Sequence, residues 1–176
     1  MFTPDRYVAA LRFAAIKHEG QRMAGSEFPY LVHVASVACE VIAALEPGLD
    51  GDLAVQCALL HDALEDTQTT FDELEAQFGR AVADGVLALS KIDDSIPKDA
   101  RMADSLRRVR LQPREVWIVK LGDRITNLAP PPEKWSSEKR RAYQAEAVQI
   151  ADALGTASPV MDARIRARIA AYSVYF

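Results

Sequence analysis

The residues of this sequence that could do chemistry gather in the segment QCALLHDALEDT, residues 56–67. On one continuous helix, positions 61, 62, 65 and 66 would share a face made of His61, Asp62, Glu65 and Asp66. That face crowds three carboxylates, and residues 34–79 hold ten acidic residues but no Lys or Arg. Like charges four residues apart destabilise a helix by roughly 0.2 to 0.5 kcal/mol, so a bound cation would stabilise this one. The alternative is an exposed acidic face on which His61 is partly buried and binds no metal.

Two further residues stand out because their surroundings are apolar. His33 lies in FPYLVHVASVA, and Asp123 lies in VWIVKLGDRITNL, a stretch too apolar to accept an unpaired carboxylate cheaply. A satisfied core histidine and an Asp123–Arg124 pair are the alternatives. Together with His61 and Asp62, these residues offer two nitrogens and two oxygens. Such a donor set suits a divalent ion of the Mn²⁺, Fe²⁺ or Zn²⁺ kind that keeps open positions for water and substrate.

The elements that would position these residues are predicted to be helices throughout. Apolar residues recur at intervals of three and four, and Ala, Leu, Arg and Glu dominate, which is typical of an all-α protein. The predicted helices span about 4–18, 29–45, 52–65, 70–79, 80–89, 98–109, 113–128, 136–154 and 159–172. Residues 91–97 are predicted to be a turn-rich connection, and the proline run 129–132 a stiff extended connector.

Composition indicates one domain with a sizeable core, since 49% of the 176 residues are apolar and 26% are charged. Cys39 and Cys57 lie in apolar surroundings and are predicted to be reduced core residues. No apolar run reaches the ~20 residues that a membrane span needs, and the opening segment lacks the pattern of a secretory signal. We therefore expect a cytoplasmic protein with no membrane partner.

Charge is segregated along the chain, although the net charge is only −4. Outside residues 34–79 there are 21 basic and 15 acidic residues, so this part could attract anions while the acidic part attracts cations. The pI of about 5.4, and the lack of a recognised motif with interleaved aromatic residues, exclude nucleic acid as the main partner.

The order His, then His-Asp, then Asp resembles that of the HD metal-dependent phosphohydrolases. Five segments of the sequence resemble the (p)ppGpp hydrolase domain of the RelA/SpoT stringent-response enzymes. They are HDALEDT, TFDELEAQFGRAVADGV, LSKID, VKLGDRITNL and KWSSEKRRAYQAEA. The resemblance runs from FAAIKHEGQ to the helix after Pro159, as in a stand-alone small alarmone hydrolase. It implies a single HD-type domain over residues 1–176, a compact all-α bundle of about eight to ten helices.

The resemblance also implies the roles of the acidic and histidine residues. One divalent ion, Mn²⁺ in this family with Fe²⁺ or Zn²⁺ as alternatives, would be held by His33, His61, Asp62 and Asp123. Glu65 and Asp66 match the family's acidic pair, which would orient the attacking water and accept its proton. The expected reaction is hydrolysis of the 3′-diphosphate of the alarmone, which releases pyrophosphate and leaves a nucleoside 5′-di- or triphosphate.

A nucleotide with about five phosphate charges needs basic residues around an acidic metal site. Lys91 in LSKID and Asn127 in DRITN match positions that hold substrate in the family. Further phosphate contacts are expected from Arg124, Lys139 and Arg140, for which an ordinary solvated side chain is the alternative. Tyr30, Trp135 and Tyr143 are either lining for a nucleoside pocket or core.

The loop before the first histidine departs from the family pattern. It reads GQRMAG, with Met23 and Ala24 where relatives carry a basic pair and with Arg22 as the substitute one position away. Because that loop holds the nucleotide in the family, (p)ppApp is an alternative substrate to (p)ppGpp. Two other functions stay open: an HD phosphohydrolase for another nucleotide, and a non-catalytic nucleotide-sensing module. A homodimer is left open as well.

Overall fold

The computed structural model describes residues 1–91, 95–97 and 100–176. This part of the chain is helical and contains no β-strand, so the all-α prediction is confirmed. The helices are α1 (Pro4–Lys17), α2 (Leu31–Ala43), α3 (Gly51–Leu60), α4 (Ala63–Asp66), α5 (Phe71–Phe78), α6 (Arg80–Leu89), α7 (Arg101–Arg110), α8 (Arg114–Asn127), α9 (Ser137–Leu154) and α10 (Pro159–Tyr172), with 3₁₀ turns at Gly155–Ala157 and Ser173–Tyr175.

Side chains cap several of these helices where the sequence predicts a start. The Ser136 and Ser158 side chains accept hydrogen bonds from backbone N–H groups of α9 and α10. Thr70 caps α5 by accepting from the Glu73 N–H at 3.2 Å. The Glu73 side chain is used elsewhere, because its carboxylate accepts a hydrogen bond from Lys17 Nζ at 2.9 Å. That ion pair ties α5 to the end of α1.

The predicted helix over 52–65 is wrong in one place. Helix α3 ends at Leu60, His61 and Asp62 form a turn, and α4 follows. Asp62 has φ −100° and ψ 0°, a conformation outside the regular helix that active-site residues often adopt. The polar residues 61, 62, 65 and 66 therefore do not lie on one face of a continuous helix. The turn removes the stack of three carboxylates that such a face would have formed.

Other boundaries shift by smaller amounts. Helix α2 begins at Leu31, two residues after the predicted start. The predicted connection over 91–97 and the start of the predicted basic helix fall partly on residues 92–94 and 98–99, which lie outside the described residues; α7 is observed from Arg101. Cys39 is exposed, contrary to prediction, because α2 buries a stripe at Val34, Val37, Ala38 and Val41 that Cys39 does not belong to. Cys57 is buried as predicted.

The core forms where α2, α3 and α8 pack together. Gly122 allows α8 to approach α2 closely, since a Cβ there would lie 3.3 Å from Val41 Cγ2 and 3.5 Å from the Val37 carbonyl oxygen. This approach brings the residue after Gly122, Asp123, to the side of α2 that carries His33. Over the described residues, we find no helix whose length and apolar character would let it cross a membrane.

Candidate metal centre

Four side chains from three parts of the chain converge in one pocket, in which both histidines are buried and both aspartates are partly exposed. Nε2 of His33, in the first turn of α2, lies 3.5 Å from Asp123 Oδ1 on α8 and 3.7 Å from Asp62 Oδ2. Nε2 of His61 lies 2.9 Å from Asp62 Oδ2 and 3.7 Å from Asp123 Oδ1. The structure thus brings together all four residues that the sequence predicts as metal ligands.

The donor atoms fit a divalent ion. Nδ1 of His61 lies 2.9 Å from the Ala58 carbonyl oxygen, to which it donates, so in the neutral ring Nε2 carries the lone pair that a metal needs. That buried Nε2 has no well-directed hydrogen bond within the described part of the chain, although Asp62 Oδ2 is close to it. Ligand atoms of His33, His61 and Asp62 all lie within 4.8 Å of one another. A cation between these atoms would satisfy the unpaired nitrogen.

The charges of the pocket favour a cation as well. Burial alone would lower the pKa of His61, but the carboxylates of Asp62 and Asp123 outweigh it and raise that pKa well above its usual value. Burial would raise the pKa of both carboxyl groups, yet contacts with the histidines lower it to about 2 at Asp62 and well below its usual value at Asp123. Both carboxylates are therefore ionised at neutral pH, and a divalent ion would take the place of the proton that they stabilise on His61.

Three neighbouring side chains orient the two carboxylates. The Tyr30 hydroxyl donates a hydrogen bond to Asp62 Oδ2, and burial, with Asp62 beside it, raises the pKa of this phenol. Asn127 Nδ2 donates to Asp123 Oδ1 at 2.5 Å. On the other side, Lys120 Nζ lies 3.8 Å from Asp123 Oδ2. Each carboxylate is thus held by a partner besides the histidines.

Sequence reasoning missed Lys120 and the contact of Tyr30 with Asp62. Lys120 is only 5% exposed, and burial lowers the pKa of its ammonium group. Its signal was present, because a lysine inside the apolar stretch VWIVKLG needs a buried partner and Asp123 lies one helical turn further on. Tyr30 gave no comparable signal, since its hydroxyl meets Asp62 only through the tertiary fold.

The acidic pair follows Asp62 on α4. Glu65 Oε2 accepts a hydrogen bond from the Lys91 backbone N–H at 2.8 Å, and Glu65 Oε1 lies 3.6 Å from Lys91 Nζ. Partial burial, with Asp62 and Glu65 nearby, raises the pKa of Asp66. Glu65 is thus held at the C-terminal end of α6, and Asp66 binds a proton more readily than an ordinary aspartate.

Arg124 does not face the four converging residues. Its guanidinium is buried, lies 3.2 Å from Glu146 Oε2 on α9, and sits 4.3 Å above the Tyr143 ring. Adjacent residues of a helix point in different directions, so Arg124 is turned towards α9 while Asp123 points into the pocket. The Asp123–Arg124 pair considered from the sequence is therefore not formed.

The other basic residues expected to hold phosphate also have protein partners. Lys139 Nζ lies 4.2 Å above the Trp135 ring. Arg140 donates hydrogen bonds to two backbone carbonyls, at 2.8 and 3.1 Å. Arg22, in the GQRMAG loop, donates to the carbonyl oxygen of Glu27, which follows that loop. Their contact with substrate stays a prediction.

The comparisons with known proteins agree with the motifs. The family described as "HD domain" matches residues 10–160. The guanosine-3′,5′-bis(diphosphate) 3′-pyrophosphohydrolase MESH1 of Danio rerio is 34% identical over 161 residues, which are 89% of this chain and 88% of that protein. The bifunctional (p)ppGpp synthase/hydrolase SpoT of Escherichia coli is 32% identical over 158 residues, 85% of this chain and 22% of that protein.

A solved structure supports the same assignment. A metazoan ortholog of SpoT, described as hydrolysing ppGpp and as playing a role in starvation responses, superposes with a TM-score of 0.82 at 26% identity over 96% of both chains. The fold and the family predicted from the sequence are confirmed. This chain belongs to the HD-domain family and, within it, to the group formed by the MESH1 and SpoT (p)ppGpp hydrolases.

Proposed function

We propose that this protein hydrolyses the 3′-diphosphate of (p)ppGpp, with (p)ppApp as a second substrate, and releases pyrophosphate. The observation that carries the proposal is the convergence of two imidazoles with two ionised carboxylates, in which each imidazole Nε2 lies 2.9 to 3.7 Å from an oxygen of Asp62 and from an oxygen of Asp123. Its relatives along almost the whole chain are named for this reaction. Under this proposal, residues 1–176 act as one HD-type domain.

We assign the metal to the pocket formed by His33, His61, Asp62 and Asp123, and propose Mn²⁺ as the ion. When bound, such an ion supplies Lewis-acid chemistry, lowering the pKa of a water molecule and polarising a phosphoryl oxygen. The histidines contribute neutral nitrogens, and the carboxylates contribute two negative charges that balance the ion. The contacts of Tyr30 and Asn127 with the carboxylates keep these groups in place before the ion arrives.

Glu65 accepts the proton of the attacking water in this proposal. Its carboxylate is fixed by the Lys91 N–H, which leaves Oε1 to receive the proton. The water oxygen forms a bond to the phosphorus attached to O3′ and the P–O3′ bond breaks, so the sugar regains a 3′-hydroxyl by taking up a proton. Asp66, whose pKa is raised, is the neighbouring group that can supply or store that proton.

Substrate binding is proposed to use the remaining basic residues. Lys91 lies next to Glu65 and is half exposed, so its ammonium can exchange this carboxylate for a phosphate. Arg124 would have to leave Glu146 to do the same. The other proposed contacts are Arg22, Asn127, Lys139 and Arg140. Met23 and Ala24 replace a basic pair in the loop that holds the nucleotide in the family, and this replacement is the reason for including (p)ppApp.

The experiment that tests the proposal is a product analysis. The Mn²⁺-loaded protein is incubated with ppGpp, ppApp, NADPH and ordinary nucleotides, and the products are separated by chromatography. We expect pyrophosphate together with GDP or ADP, and no reaction in the His61→Ala and Asp62→Ala variants. Asp152→Asn, a change at an exposed residue paired with Arg166, is the matched control and should leave the rate unchanged.

Two outcomes would refute the proposal. Release of inorganic phosphate in place of pyrophosphate would indicate a phosphohydrolase for another nucleotide. Binding of nucleotide and metal without turnover would indicate a sensing module. The cytoplasmic compartment stays a prediction, and a homodimer stays an open alternative.

A further inference from the structure

His18, at the C-terminal end of α1, is a buried histidine that the proposed reaction does not use. It is 3% exposed, and its Nδ1 lies 2.7 Å from Gln21 Oε1. Gln21 Nε2 in turn donates to the Asp66 carbonyl oxygen at 2.6 Å. Because the amide nitrogen of Gln21 faces Asp66, its oxygen faces His18, and the hydrogen of the shared bond is on Nδ1 of His18. A chain of two hydrogen bonds therefore joins α1 to the acidic pair.

A second route from His18 leads to Asp62 through aromatic rings. The centroid of the His18 ring lies 4.9 Å from that of Tyr30, and the Tyr30 ring lies 5.2 Å from that of His33. The His33 ring lies 5.3 Å from that of His61, so the four rings form one continuous row of tilted contacts. Within this row the Tyr30 hydroxyl donates to Asp62. His18 thus supports, from the outside, the ring that orients Asp62.

The two routes end on opposite ends of the same short segment. Asp62 is the residue immediately before α4, Asp66 is the last residue of α4, and the Asp66 N–H donates to the Asp62 carbonyl oxygen at 2.9 Å. Glu65 lies between them. An isolated helix of one turn is not stable by itself, so its position must come from tertiary contacts. His18 reaches both ends, one through Gln21 and one through Tyr30.

We propose that His18 is a positioning residue, which through Gln21 and Tyr30 fixes the segment that carries Glu65 and Asp66. This inference rests on the proposed function, since it assigns His18 a role in that reaction. The motif FAAIKHEGQ, separated from HDALEDT by about forty residues of sequence, then acts on the reaction without touching the reacting atoms. Its contribution is orientation, in which a misplacement of about 1 Å can change a rate roughly 100-fold.

The test uses His18→Phe, which keeps a ring against Tyr30 but removes the donor to Gln21. We expect kcat to fall about 10- to 100-fold while KM and the affinity for Mn²⁺ stay within about twofold. Hydrogen–deuterium exchange of a peptide spanning residues 61–67 should become faster, because Asp66 loses its anchor. This exchange is measured on the metal-free protein and needs no activity.

Gln21→Met provides an independent variant at a half-buried position that is expected to fold. It should show the same loss of kcat and the same faster exchange, and the double variant should be no slower than either single one, because both changes break one route. Phe13→Leu is the matched control: it alters a buried ring of α1 that packs on Phe78, away from the acidic segment. It should lower the melting temperature without changing kcat or the exchange of residues 61–67.

Three results would overturn the inference. The first is unchanged hydrogen–deuterium exchange over residues 61–67 in both His18→Phe and Gln21→Met, and the second is an additive loss of kcat in the double variant. The third is a loss of kcat in Phe13→Leu that matches its lower melting temperature, as in the other two variants. Failure of the proposed function would look different. In that case the unaltered protein would not release pyrophosphate, while the exchange arm would still report whether His18 and Gln21 hold the segment.

Discussion

Replacing Tyr30 by phenylalanine removes one hydroxyl and leaves the row of ring contacts beside the metal centre in place. In the metal-free protein, the Asp62 carboxylate then loses its hydrogen bond from the phenol and keeps the contact with His61 Nε2 at 2.9 Å. A hydrogen bond to a charged group contributes roughly 1.5 to 3 kcal/mol. For a chain of this length, each kcal/mol corresponds to about 2 to 4 °C in Tm. We therefore expect the Tm of metal-free Tyr30→Phe to be about 3 to 12 °C lower.

The same substitution should affect the metal-bound protein less. A divalent cation at the pocket neutralises Asp62, so the missing hydroxyl lowers the free energy of unfolding by less when the ion is bound; we call this loss of unfolding free energy the deficit. Thermodynamic linkage then requires the variant to bind the ion more tightly, by a free energy equal to the metal-free deficit minus the metal-bound deficit. If metal reduces the deficit by about 1.4 kcal/mol, the dissociation constant for Mn²⁺ falls about tenfold.

Thermal denaturation with chelator and with saturating Mn²⁺, together with titration calorimetry, measures both sides of this linkage. Tyr7→Phe is the matched control, because Tyr7 packs on Phe2 and its hydroxyl makes no hydrogen bond within the described residues; its Tm should stay within about 1 °C. The reasoning is refuted if metal-free Tyr30→Phe melts with the unaltered protein, or if its Tm deficit is the same with and without Mn²⁺.

Three further predictions concern other contacts. Gly122→Val should lower the free energy of unfolding by about 1 to 3 kcal/mol in chemical denaturation and weaken Mn²⁺ binding, because its side chain would push α8 away from α2. Lys120→Met should tighten Mn²⁺ binding about 10-fold or more in calorimetry, because it removes a buried positive charge 3.8 Å from Asp123 Oδ2; Lys120→Arg should not. Hydrogen bonds from Arg108 and Arg107 lower the pKa of Asp104, so its contribution to stability is present above its ordinary pKa and lost as pH falls below it; the Tm difference between Asp104→Asn and the unaltered protein should therefore shrink as the pH is lowered below that ordinary pKa.

The helices could be predicted because their signals are local. The capping serines at 136 and 158 start α9 and α10 where the sequence indicates, and the apolar spacing of three and four gives the all-α class. The break at 61–62 could not be predicted in this way. Asp62 leaves the helical conformation, and its carboxylate meets Tyr30 from a distant part of the chain. The spacing of residue types indicates which residues share a face if a helix is continuous. It does not show where a tertiary contact ends the helix.

In the candidate site, too, the sequence indicates the residue types but not the directions in which the side chains point. The residue types of His33, His61, Asp62 and Asp123 suggest a metal centre because charged and polar side chains in apolar stretches need partners. The direction of a neighbouring side chain is a different matter, as Arg124 shows. Its partners, Glu146 and Tyr143, lie about twenty residues away on α9, and no local feature indicates that the guanidinium turns to them.

Because the sequence gives residue types and not side-chain directions, it did not indicate a role for His18, although His18 lies in the FAAIKHEGQ segment of the resemblance. Read alone, it is a histidine at the end of an amphipathic helix, where a favourable interaction with the helix C-terminus would account for it. Only the fold shows that Gln21 and Tyr30, three and twelve residues later, both return to it and then diverge to the two ends of the Asp62–Asp66 segment. A short helix that cannot hold its own shape needs such outside support. In a site built from distant segments, the residues that support it are therefore found by following contacts outward from the ligands.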